Sequence, residues 1–147
     1  MIMRTLWGLI LIVVALLLCW GGQVVNALFP KRAERWGLSE PQAEVDPVFY
    51  TDSRGEAFWD VLSIWPLPVA GVLLLLDHPW WPYFGLVGGG IFIYFSGRGT
   101  VVRLVLRRHG IRIGHPKRLA AYYIILFVWA LLGAVTIAMA VRTLEAS

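Results

Sequence analysis

Charge is scarce in this sequence: of 147 residues, 15% are charged and 59% are apolar, against roughly 25% and 45–50% in a soluble domain. A chain of this length has room for one domain, and no soluble core of that size takes up so much apolar surface. Cysteine is almost missing, and the single Cys19 excludes an intrachain disulfide framework. The short motifs of common chemistries are missing too. There is no His-Glu-x-x-His, no Gly-x-Ser-x-Gly and no phosphate loop, and the glycines at 85 and 88 to 90 lie inside an apolar run instead of following a strand. His78, His109 and His115 fall in loops or at boundaries, and Asp77-His78 offers two adjacent groups where a metal site needs three or four ligands. No metal and no cofactor is expected.

The apolar residues are grouped in long runs, which is the pattern a lipid solvent requires. Leu6 to Phe29 holds no charge over 24 residues, about 36 Å as a helix. A signal peptide has a shorter apolar core and small residues before its cut, so an uncleaved anchor over 6–29 is expected. A second span is expected over 57–76, its helix starting near Arg54 where Ser53 and Glu56 form a Ser-x-x-Glu capping box. Pro66 and Pro68 each remove a backbone donor, which predicts a kink near Ser63 to Ile64. A third span, 79–97, follows after only Asp77-His78-Pro79, so the two must form a tight antiparallel hairpin. Gly85 and Gly89 give it a Gly-x-x-x-Gly pair that permits close helix approach, expected within the chain. A fourth span covers 119–141. The predicted fold is all-α: one four-helix transmembrane bundle over 1–147, with loops 30–56 and 98–118.

Four spans put both termini and the Asp77 to Pro79 turn on one side. Lys and Arg then divide unequally. That side carries Arg4 and Arg142, while the two loops carry the other 11 of the 13 basic residues. The positive-inside rule places the loops in the cytoplasm and both termini outside, in a bacterial-type inner membrane. Trp7, Trp80, Trp81 and Tyr83 gather at the outer boundary, and Trp36, Trp59, Tyr94, Tyr122 and Tyr123 lie towards the inner one, as an aromatic belt requires.

Within loop 30–56, Pro30 at a first helical position and Gly37 just past an end predict a short interfacial helix anchored by Trp36. Leu38 to Thr51 reads as an extended connector. Loop 98–118 has seven basic residues and no acid. Val101, Val102, Leu104, Val105 and Leu106 interleave with Arg103, Arg107 and Arg108, which predicts that the third helix continues as a cytoplasmic amphipathic segment until Gly110 stops it. Arg103, Arg107, Arg108, Arg112, Lys117 and Arg118 are the expected ligands for anionic lipid head groups, at roughly 1 kcal/mol each near the surface. Without interleaved aromatics the charge does not suit nucleic acid.

Charge inside a membrane is costly and tends to be paired or functional. Asp60 is the candidate, and counting back from the hairpin turn puts it at the depth of Arg98. An ion pair of Asp60 with Arg98, or failing that with Arg103, is therefore expected. In size and span number the chain is similar to the small multidrug exporters, but the acidic residue those place in their first span has no counterpart in 6–29. The layout is also similar to that of the small DoxX-like membrane proteins, a likeness of size and span number from which no residue carries over. The residues fit a non-catalytic accessory or assembly protein engaging anionic lipid and another membrane protein. The alternatives are a small proton-coupled transporter and a lipid- or quinone-modifying enzyme, the latter without the carboxylate cluster that metal-assisted phosphate chemistry uses.

Overall fold

The structure is a computed structural model that describes residues 2–146. Its regular structure is helical, and among the described residues β pairing is confined to one isolated bridge, Val45 with Ile113. We label the helices α1 (Ile2–Leu28), α2 (Pro30–Arg35), α3 (Pro47–Ser63), α4 (Pro66–Leu75), α5 (Trp81–Arg108) and α6 (Pro116–Glu145). A short 3-10 turn spans Gln42–Glu44. The middle of α1, Leu11–Trp20, is wound as a π-helix, with the Gly21 N–H reaching back five residues to Leu16 O.

Three stretches, Ile2–Leu28, Pro47–Leu75 and Pro116–Glu145, are long and apolar enough to cross a membrane. The expected third span, 79–97, is helical within α5 but does not reach that apolarity. Its glycines at 85, 88, 89, 90 and 97 add length without adding apolar side chain.

Those glycines are used for contact. A Cβ on Gly88 would lie 2.6 Å from the Cα of Leu67 on α4, and one on Gly89 would lie 2.7 Å from Gly133 O on α6. Gly85 faces the same neighbour, with Thr136 and Ala140 beneath it. The Gly-x-x-x-Gly face is thus occupied by α6 of the same chain. On the other flank, Gly71 of α4 meets α1 at Leu11, and a Cβ there would lie 2.8 Å from the Leu11 Cβ. These three crossings, α4 with α5, α5 with α6 and α1 with α4, each rely on a missing side chain, which suits a membrane where packing rather than water drives association.

The second helix begins earlier than its capping box suggests. Asp46 caps it, its carboxylate accepting from Val48 N at 2.9 Å, with Pro47 at the first helical position. Ser53 lies inside the helix and donates to Tyr50 O. An Asp-Pro start combines a strong cap with a preset φ, and nothing between Pro47 and Ser53 then interrupts the turn. Leu38 to Thr51 is consequently not an extended connector. Its last five residues are helical, and Asp46 N donates to Arg112 O at 2.8 Å, pinning the two loops together. Val45, Phe49, Ile113 and Leu119 bury a small core beneath that junction.

The proline break falls at Ile64 and Trp65, between α3 and α4, adjoining the expected kink. Pro66 cannot donate back into α3, and just before the break Trp20 Nε1 of α1 donates to Val61 O at 3.0 Å. The short helix after Pro30 ends as anticipated: Gly37 has φ +72° and Leu38 N reaches back to Ala33 O. Gly110, at φ +74°, ends α5 in the same way, with Ile111 N bonding Leu106 O. Both are left-handed C-caps that favour glycine.

The two ends of the bundle are chemically distinct. At one, Arg4 pairs with Asp77 at 2.9 Å, and Leu74, Trp81 and Ala140 pack with Trp7. The N-terminal residues, the hairpin turn and the end of α6 therefore share this end. The joined loops occupy the other.

Candidate functional site

The basic residues of the loop end fall into two groups that spacing alone does not separate. Arg107, Arg108, Arg112 and Lys117 are exposed and, among the described residues, have no ion pair. Lys31, Arg32 and Arg35 join them on the neighbouring loop. Arg54, Arg98 and Arg103 are instead half-buried, and Arg118, although exposed, carries ion pairs; these four hold the structure together.

Arg54 closes the end of α1. Pro30 has no N–H for Asn26 O, and the chain turns there, so the last carbonyls of α1 need outside donors. The Arg54 guanidinium supplies them, bonding Asn26 O through Nη1 and Ala27 O through Nη2. A cation at a helix C-terminus also opposes the negative end of the macrodipole. Pro30 was the visible sign that such a partner was needed, although not that it would come from position 54.

Arg98 does not pair with Asp60. Its Nη1 bonds Glu56 and its Nη2 lies 3.7 Å from Asp52. Glu56 is one turn before Asp60 on the same face of α3, and the longer glutamate arm meets the guanidinium first. Arg103 does not take its place either: its Nη1 donates to Gly99 O at 2.9 Å, and its guanidinium lies over the rings of Phe49 and Tyr122. Asp60 is 4% exposed and its Oδ2 is buried without a hydrogen bond. Depth was legible from helix counting, but the choice between two carboxylates on one face depends on side-chain reach.

Arg118 bridges Glu40, at 3.3 Å, and Glu44, at 3.8 Å. Glu40 is 8% exposed, its second oxygen Oε1 is buried with no partner, and the loop pattern does not mark it. Burial pushes the Glu40 carboxyl above its ordinary range, against the opposing hydrogen bond and charge of Arg118. Room for it comes from Gly114, where a Cβ would lie 2.5 Å from Glu40 Cδ. Gly114 also has φ +114°, so two independent constraints favour glycine there.

Two clefts open beside these groups. One, of about 560 Å³, lies between α1, α3 and the first half of α6, and has Glu40, Arg103, Arg118 and Tyr122 at its loop end. The other, of about 500 Å³, lies between α3 and α5 and includes Glu56, Asp60, Tyr94 and Arg98. Among the described residues no three His, Cys, Asp or Glu side chains gather where they could hold a metal ion. Comparison with known protein families, with curated proteins and with solved structures finds no match to this chain.

Proposed function

We propose that this protein is a non-catalytic accessory or assembly protein of a bacterial-type inner membrane, with α5 as a fourth span and the loop end in the cytoplasm resting on anionic lipid. The carrying observation is the set of exposed basic residues at the loop end of the bundle that, among the described residues, have no ion pair: Arg107, Arg108, Arg112 and Lys117, with Lys31, Arg32 and Arg35 on the other loop. A helical extension of α5 beyond the hydrocarbon would bring Arg107 and Arg108 to the head groups, with Val101, Leu104 and Val105 exposed on the same stretch. The fourth span is supported by the use of its glycines for contact with α4 and α6, which accounts for its low apolarity without exposing polar groups to lipid. Any protein partner would be a second membrane protein.

Replacing Arg107, Arg108, Arg112 and Lys117 together by Gln should reduce the anionic lipid that copurifies in mild detergent, since each removes roughly 1 kcal/mol of attraction. Lipid analysis by mass spectrometry reads the outcome, and unchanged anionic content would sink the lipid-surface role. The orientation rests on the 11 to 2 distribution of basic residues. A reporter active only outside the cytoplasm, fused after Ser147, should be active, and a signal from a cytoplasm-only reporter at that position would reverse the topology.

A further inference from the structure

The bundle is closed at one end and splayed at the other. Near the Arg4 end, Trp7 Nε1 of α1 donates to Thr136 Oγ1 of α6 at 3.0 Å. Towards the loops the same two helices are parted by the 560 Å³ cleft, a volume within the range of pockets that hold drug-sized molecules, about 300–1,000 Å³. The walls change character along its length. Val14, Leu18, Phe95, Val128 and Trp129 line the deep part, and Gln23, Glu40, Arg103, Arg118 and Tyr122 line the loop end.

Arg118 and Trp129 are 11 residues apart on one helix, about 16 Å. That is close to one leaflet of a hydrocarbon core about 30 Å thick. Leu18 of α1 and Ile124 of α6 both line the cleft and are 61% and 65% exposed, so its mouth opens sideways. At that depth a bilayer offers no water to fill an apolar opening, only lipid chains.

The loop end carries both signs of charge. Arg103 spends one N–H on Gly99 O and Arg118 meets Glu40 and Glu44 through Nη1 alone. A guanidinium has five N–H groups, so donors remain on both. Glu40 offers the reverse: it lines the cleft, its Oε2 meets Arg118, and its Oε1, set against Gly114, has no hydrogen-bond partner. A head group that is purely anionic brings no donor to that carboxylate, and a quaternary ammonium has no N–H to offer it. A zwitterion with a phosphate and a primary ammonium satisfies both sets.

We propose that this cleft is a binding site for an aminophospholipid, with one acyl chain between α1 and α6, its phosphate at Arg103 and Arg118 and its ammonium at Glu40. The site is separate from the exposed basic set, which the proposed function uses for anionic lipid at large.

The test uses the full-length protein reconstituted in discs of equal parts phosphatidylethanolamine, phosphatidylglycerol and phosphatidylcholine, followed by detergent extraction and native mass spectrometry of the lipid retained. The wild-type chain should retain phosphatidylethanolamine about tenfold over phosphatidylcholine, the ratio one charge-assisted hydrogen bond supports. Glu40→Gln should remove most of that preference. Ile125→Trp, which fills the cleft from a lining position, should remove bound phosphatidylethanolamine without touching the head-group residues, and covers the case in which the Glu40 variant fails to fold. The variant with Arg107, Arg108, Arg112 and Lys117 changed to Gln should lose phosphatidylglycerol and keep phosphatidylethanolamine. Equal retention of the amine and choline lipids by the wild type would overturn the proposal. So would an amine preference that survives Ile125→Trp or disappears with the exposed basic set.

Discussion

Gly88→Val is expected to lower the melting temperature in detergent far more than a substitution at an uncontacted position of α5 such as Gly90. A Cβ at position 88 meets the backbone of Leu67, with its Cα only 2.6 Å away, and backbone cannot rotate aside as a side-chain tip can. Helices α4 and α5 must separate or tilt. The strain of overpacking such a contact is about 1–3 kcal/mol and occasionally more, and separation also opens the core at Leu67 and Phe92, both fully buried. Gly90→Ala is the matched control, because no atom lies within 4 Å of its Cβ position and alanine is the better helix former by about 1 kcal/mol. A melting temperature equal in the two variants would show that α4 and α5 do not meet through Gly88.

The second large effect concerns Glu56 and Arg98. The Glu56 side chain is 14% exposed and that of Arg98 is 33% exposed, so removing one leaves the other partly buried without its partner. For a fully buried pair that costs roughly 3–5 kcal/mol. Here roughly 2 kcal/mol is expected for Arg98→Gln, because solvent reaches a third of the guanidinium. Glu56→Gln should cost a similar amount, and the double variant should lose clearly less than the sum. Asp60 behaves differently. It has no hydrogen bond to lose at Oδ2, and a buried carboxylate without a partner is itself unfavourable. Asp60→Asn should therefore leave thermal stability unchanged or raise it, and should couple to Arg98→Gln more weakly than Glu56→Gln does. Coupling to Asp60 instead of Glu56 in these cycles would return the ion pair to the arrangement inferred from depth alone.

The two predictions differ in how far they could be foreseen. Gly85 and Gly89 stand out in the sequence because their spacing places two missing side chains on one helical face, and α6 covers that face. Gly88 does not stand out, since it lies one residue off the motif, yet it makes the closer contact with α4. A helix embedded between two neighbours uses two faces, and a single four-residue spacing describes only one of them. Arg98 is similar. Its depth follows from a rise of 1.5 Å per residue, which is local geometry, whereas its partner is settled by which carboxylate arm extends across the gap between α3 and α5.

Sequence by itself determined the properties that each segment carries alone. Long uncharged runs must be helical if lipid surrounds them, because only a helix satisfies its backbone polar groups within one segment and runs of this length exceed a barrel strand. Pro66 and Pro68 must interrupt a helix wherever it packs, and Gly37 and Gly110 end helices through a conformation other residues resist. The 11 to 2 division of basic residues is likewise a property of the chain before it folds. Tertiary structure alone decided which charges are spent on contacts within the chain. Arg107 and Arg112 remain exposed, while Arg54 caps α1, Arg98 meets Glu56 and Arg118 meets Glu40. The reason is that a guanidinium's role is set by whatever acceptor comes within its reach, and those acceptors lie 28, 42 and 78 residues away in the chain. The splayed cleft between α1 and α6 has the same origin. It exists because those helices meet at Trp7 and Thr136 and diverge below, and no pattern within either helix records the distance to the other.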